Sequence, residues 1–175
     1  MNRRRKFFKE SNLIEDVETE IAVDKNIEAY KHLRKVEKVT IENIKEAHRI
    51  IMEERQPEIA GEFKKQENFV PLNGRQAKVF TKPNKVAEKM NQLLDVEPET
   101  HLEALKWHIT FENIHPFLDG NGRVGRVIYY HQVKNLIGGM PLIFRDEDAK
   151  GYYSLMNQES KMFVDPEVEV KQIHL

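Results

Sequence analysis

Between His115 and Arg126 the chain reads H-P-F-L-D-G-N-G-R-V-G-R, gathering an imidazole, a carboxylate, a glycine-asparagine run and two guanidinium groups into twelve residues. Pro116 disfavours helix at the residue before it, so the helical pattern upstream ends near His115. Gly120, Asn121 and Gly122 supply positions free to take positive φ. The next helix is expected near Arg123. Backbone N–H groups of such a run converge on one point at a helix start, where the helix dipole adds partial positive charge, and this makes an anion site. Arg123 and Arg126 lie three apart, on one face of the first turn, and their forks match phosphate oxygens. Two cations cover one polyphosphate. A carboxylate beside phosphate is useful when a cation bridges them, which makes Asp119 the candidate Mg2+ ligand. His115 accepts a proton near neutral pH and is the candidate base.

The stretch satisfies every fixed position of H-P-F-x-[D/E]-G-N-G-R-x-x-R and so resembles the signature of the Fic family. The resemblance implies a protein adenylyltransferase, which moves AMP from ATP to a Ser, Thr or Tyr hydroxyl of a target protein and releases pyrophosphate. It also implies the roles. His115 deprotonates the hydroxyl, and Asp119 holds Mg2+ on the alpha and beta phosphates. Gly120, Asn121 and Gly122 form the cradle, Arg123 holds the phosphate chain, and Arg126 engages the gamma-phosphate. Phe117 is a buried anchor. The chemistry rests on positioning and charge neutralisation. The intact G-N-G-R argues against a phosphate-transferring variant.

A second string, S-N-L-I-E-D, resembles the inhibitory motif of self-restrained Fic proteins, [S/T]-x-x-x-E-[G/N], with Ser11 and Glu15 in place and Asp16 where Gly or Asn is usual. It implies that Glu15 pairs with Arg126 and takes the space and charge that the gamma-phosphate needs. Two other readings remain open. One is a de-AMPylase, in which Glu15 aligns a water and works with His115. The other is a nucleotide-sensing module without turnover. A homodimer that covers the Glu15 helix is one simple switch.

At 175 residues and 39% apolar the chain is long enough for one core. Its net charge of -1 gives no broad field for nucleic acid or anionic membrane. The basic run at residues 1–9 reads as a solvated end. With no cysteine there is no disulfide and no thiol catalysis, which fits a reducing compartment. No secretory signal or membrane-length apolar run is visible, so a soluble, cytoplasmic protein is expected.

The expected fold is mainly α, the Fic helical bundle with a β-hairpin flap beside the signature loop. Leu13, Ile14, Val17 and Ile21 are spaced for a helix over 9–23 with Ser11 as its cap. Two scaffold helices follow, the second capped by Thr40. Asn73-Gly74 marks a hairpin within 63–80, with Pro71 on an edge. By spacing alone this is a surface hairpin. The resemblance makes it the flap, with Phe69, Val70 and Val79 docking the target by β-augmentation. Pro83 starts a helix, and Thr100 with Glu103 is a capping box for the next, whose Leu102, Leu105, Trp107, Ile109 and Phe111 should be core. His101, His108 and His115 recur every seven residues, about 10 Å along a helix and too far apart to share a metal, so His108 reads as a buried hydrogen-bonded residue. The signature helix stops at Gly138-Gly139. A last helix is expected over 146–156, and its Tyr152-Tyr153 resembles the family's Y-Y, which implies Tyr152 as an adenosine contact. Beyond Asp165 the chain reads as extended or disordered. The implied organisation is an inhibitory segment 1–23, a Fic domain 24–165 and a tail 166–175.

Overall fold

The computed structural model describes residues 2–73, 76–142 and 169–172. Their elements are, in order, α1 (Arg3–Leu13), α2 (Glu20–Leu33), α3 (Ile41–Met52), β1 (Phe69–Asn73), β2 (Gln76–Val79), α4 (Pro83–Leu94), α5 (His101–Ile114), α6 (Asn121–His131) and β3 (Glu169–Gln172). A π-helical turn, Gln132–Leu136, prolongs α6. The chain then leaves through Gly138 at φ 76, with Gly139 N–H bonded to the Val133 carbonyl at 2.8 Å. Tyr152, the helix expected over 146–156 and Gly74 lie outside the described residues.

The helices form where local chemistry starts them. Thr40 and Asn43 close one reciprocal capping box, and Thr100 and Glu103 close another. Pro83 stands in the first turn of α4, where its missing N–H costs nothing. α6 is the axis of the bundle: α5 packs on one side, α1, α2 and α3 on others. Its Val124, Val127, Ile128 and Tyr129 are buried among Leu33, Ile44, Trp107 and Phe111. The site therefore rides on the most enclosed helix.

The N-terminus differs from the solvated end expected. Asn2 caps α1, and Phe7 and Phe8 are fully packed against Tyr130. Burial of each phenyl contributes about 1.5–3 kcal/mol, enough to hold a basic segment that charge alone would leave in water. Arg5 meets Glu20 and, at 2.6 Å, Asp24 of α2. The helix expected over 9–23 is instead two. Ser11 is inside α1 rather than at its start, Asp16 turns the chain at φ 54, and Thr19 caps α2. Ile21, spaced for a core, is 59% exposed, as is Leu102 at 60%.

The sheet has three strands in the order β1-β2-β3, both pairs antiparallel. Phe69 faces Val79 and Val70 faces Lys78. Pro71 sits on the edge strand, where a residue without N–H is tolerated. The segment read as extended or disordered supplies β3 on the other side of β2, so the expected hairpin is part of a larger sheet.

Candidate active site

α5 ends at Ile114, and His115 takes the left-handed conformation at φ 53. Such a φ is costly for a residue with a Cβ and must be held by its surroundings. Three contacts hold it. The His115 N–H donates to the Phe111 carbonyl at 2.9 Å, the imidazole stacks on Phe80 at 3.9 Å and 10°, and Nδ1 lies 3.2 Å from the Glu112 carbonyl. A carbonyl only accepts, so Nδ1 carries the proton and Nε2 keeps its lone pair. Burial, then the nearby Lys64 ammonium, lowers the His115 pKa to about 3. The imidazole is neutral across the physiological range.

Phe117 is an anchor, as expected. Its ring is buried, flat against His48 at 3.8 Å and 3°, with Phe63 at 5.4 Å. Asn121 is buried too, and its amide closes the loop: Oδ1 accepts from Phe117 N–H at 2.8 Å and Nδ2 donates to the Phe117 carbonyl at 2.9 Å. The helix thus begins at Asn121, two residues before the expected start. Only Gly120 of the G-N-G run takes positive φ, at 76. A Cβ there would also lie 2.8 Å from Met52 Sδ.

With glycine as cap, α6 has no side-chain oxygen on its first amides. Those N–H groups and the helix dipole are the groups that the anion site expected from the sequence would use. Arg123 is 3% exposed, and its Nε is buried with no partner among the described residues. Burial lowers the guanidinium pKa. An orphaned charged donor beside a helix N-terminus fits a phosphate. Asp119 is half-exposed next to it. Its Oδ1 accepts from Gly120 N–H at 2.6 Å, its Oδ2 accepts from the Gln56 amide at 3.0 Å, and Arg123 is 3.7 Å away. A single half-exposed carboxylate suits Mg2+, which takes its other ligands from phosphate and water.

Arg126 is fully buried, and α1 holds it. Nε donates to Ser11 Oγ at 2.7 Å, and Nη2 donates to the Ser11 carbonyl at 2.9 Å and to Glu15 Oε1 at 2.7 Å. Glu15 lies in the turn that closes α1, its N–H bonded to the Asn12 carbonyl at 3.0 Å. The Glu15 carboxylate rests on Gly122 so closely that a Cβ there would come within 2.1 Å of Oε1. One carboxylate therefore touches the first turn of α6 and its second arginine together. Asp16, next in the chain, is in the left-handed region where Gly or Asn is easiest.

The hairpin is strapped to this loop. Lys64 N–H donates to the Pro116 carbonyl at 2.9 Å, Asn68 Nδ2 to the Phe117 carbonyl at 3.0 Å, and Lys78 Nζ to Asn113 Oδ1 at 2.6 Å. Val79 is buried, while Phe69 at 58% and Val70 at 45% are exposed on edge strand β1. The structure brings together His115, Asp119, Gly120, Asn121, Gly122, Arg123, Arg126, Ser11 and Glu15. It adds Gln56, His48, Lys64 and Phe80, which the sequence reading passed over. His48 left one trace, a polar residue four after Ile44 on the apolar face of α3. Gln56 left none, because its partner is 63 residues away.

The class defined by this bundle and loop is confirmed by comparison with known proteins. Residues 38–133, more than half of the chain, match the Fic/DOC family model, and the chain belongs to that family. It is 31% identical over 142 residues to Protein adenylyltransferase Fic of Nematostella vectensis, a match covering 77% of this chain and 32% of that protein. The chain thus spans about a third of that relative's length. Among solved structures, a Fic domain containing signaling protein from Bacteroides thetaiotaomicron superposes with a TM-score of 0.75 at 20% identity, over 89% of this chain and 71% of that one. Fic-1 from C. elegans gives 0.72 at 19% identity, over 87% and 54%. At such identities these two establish the fold. No helix among the described residues is long and apolar enough to cross a membrane.

Proposed function

We propose that the chain transfers AMP from ATP to a hydroxyl of a target protein and that Glu15 restrains it in cis. The observation that carries this reading is the convergence in one loop of a neutral His115, the Asp119 carboxylate and an uncapped helix start flanked by Arg123 and Arg126. The target oxygen attacks the alpha phosphorus as its proton passes to His115 Nε2. The bond from that phosphorus to the bridging oxygen breaks, and pyrophosphate leaves. Arg123 and the first amides of α6 receive the phosphate charge. Asp119 would hold Mg2+, which neutralises the phosphates when bound. Phe69 and Val70 on β1 are the surface on which an extended target segment would dock.

The Glu15 contact supports the restraint. A carboxylate already seated on Gly122 and Arg126 occupies part of the space and the Arg126 charge that a terminal phosphate needs. The test uses purified wild type, Glu15→Gly, and Glu15→Gly combined with His115→Ala, each given Mg2+ and alpha-labelled ATP and followed by intact mass. The expected result is AMP added by Glu15→Gly alone, on itself or on added protein. Labelling that survives loss of His115 refutes the assignment of the base. Labelling absent from all three, with ATP still bound, removes transfer in favour of sensing or AMP removal.

A further inference from the structure

The search for groups that touch the site without belonging to its assigned machinery leads to His48, on α3. The side chain is wholly enclosed, and both of its ring nitrogens and one ring face meet specific partners. Nδ1 accepts from the Gly61 N–H at 2.9 Å. Nε2 lies 3.1 Å from the Asp119 carbonyl. The ring lies flat on Phe117 at 3.8 Å. Two of these contacts fix the proton. An amide N–H can only donate, so Nδ1 is bare, and a carbonyl can only accept, so the proton is on Nε2.

The two ends matter because of where they lead. Gly61, at φ 81, is the turn from which the chain runs through Lys64 and Asn68 into β1. Asp119 is the carboxylate residue immediately before the cap of α6. Fixing the Asp119 carbonyl fixes the peptide that sets where its carboxylate and the Gly120 N–H point. A Cβ added at Gly120 would come within 3.4 Å of His48 Nε2 and 2.8 Å of Met52 Sδ, so the loop leaves no room for a side chain there.

We propose that His48 is a positioning residue, a strut that sets the nucleotide loop at one end and the root of the hairpin at the other, so that both halves of the site share one reference. This rests on the adenylyl-transfer reading above for its consequence, though not for its geometry. A role in packing alone would be served by any flat ring of similar size.

The two ends can be removed separately. In Glu15→Gly chains, H48Q places an amide donor near the Nε2 position and keeps the Asp119 arm. H48N places an acceptor near the Nδ1 position and keeps the Gly61 arm. H48F keeps only the ring stack. Mg2+-ATP affinity is read by calorimetry, and the Gly61 and hairpin amides by hydrogen exchange. Self-labelling with AMP gives the rate. H48Q should bind ATP within about twofold of its parent but exchange the hairpin amides faster, whereas H48N should keep hairpin protection and bind ATP about tenfold more weakly, the loss expected for one hydrogen bond that orders the loop. H48F should show both losses. Nitrogen NMR of the imidazole should show a protonated Nε2 and a bare Nδ1.

The same affinity and exchange for H48Q and H48N, or a proton on Nδ1, overturns the strut. If the Glu15→Gly parent binds ATP and labels nothing, the transfer reading falls while the affinity and exchange pattern still decides the role of His48.

Discussion

Ser11→Ala deletes one of the hydrogen bonds by which α1 holds Arg126. The hydroxyl is 1% exposed and accepts from Nε at 2.7 Å, and no water can replace it without opening the helix interface. Leaving a buried charged donor unpaired costs about 1.5–3 kcal/mol. Alanine recovers at most about 0.5 kcal/mol through helix propensity. The net loss of about 1–2.5 kcal/mol falls only on the docked state, because a released Arg126 is hydrated or holds phosphate. At about 1.4 kcal/mol per tenfold, the ratio of restrained to released enzyme drops about five- to sixtyfold. Phe7 and Phe8 remain to keep α1 associated, so activity should rise toward that of Glu15→Gly without passing it. The assay is AMP transfer from labelled ATP below saturation, with melting curves on the same samples. A lower Tm with unchanged transfer would refute the reasoning, since it would show that the Ser11 contact stabilises the fold without restraining the site.

Two further predictions concern backbone and protons. Asp16→Val puts a β-branched residue at φ 54 and should cost the turn that presents Glu15 about 1–2 kcal/mol, raising transfer about five- to thirtyfold. Asp16→Gly should leave transfer near wild type, as eased strain and a freer unfolded chain offset each other. The stability profile follows from four buried groups. Burial lowers His48 to about 4 and His108 and His115 to about 3, and all three sit below the unfolded value of 6.5. Their contribution is present above pH 6.5 and is lost as pH falls toward those values. Burial raises Glu112 to about 8 from 4.5, so its contribution is full below 4.5 and is lost as pH rises through about 8. Three histidines gain while one glutamate loses, giving a net slope of about 3 kcal/mol per pH unit between 4.5 and 6.5. Chemical denaturation across pH 4.5–8.5 should therefore peak near 6.5. A flat profile would remove the claim that these groups are held in their neutral forms.

Much of this site was legible because its chemistry is local. His115, Asp119, Arg123 and Arg126 are brought together by one turn and one helix, and the proline and glycines that bend the loop are visible as residue types. The capping residues Thr40 and Thr100 announced themselves in the same way. What escaped notice depended on distance or on a residue acting out of type. Asp16 breaks the N-terminal helix by taking positive φ, which Asp does less often than Gly, so Leu13, Ile14, Val17 and Ile21 looked like one continuous stripe. Phe7 and Phe8 were hidden among arginines and lysines whose charge suggested water. Gln56 and His48 bond to Asp119 across 63 and 71 residues, and no periodicity reports such a pairing. The helix of His48 and the turn after it that carries Gln56 were read as scaffold, yet together they hold Asp119 by its carbonyl and its carboxylate.

The most direct test of the restraint compares nucleotides that differ only at the terminal phosphate. Wild type and Glu15→Gly are each titrated calorimetrically with Mg2+-ATP and Mg2+-ADP. If Glu15 occupies the place of the gamma-phosphate on Arg126, Glu15→Gly should tighten ATP by about tenfold or more, in line with a lost charged hydrogen bond at 2.7 Å, and leave ADP nearly unchanged. Equal tightening of both nucleotides, or of neither, would contradict the account.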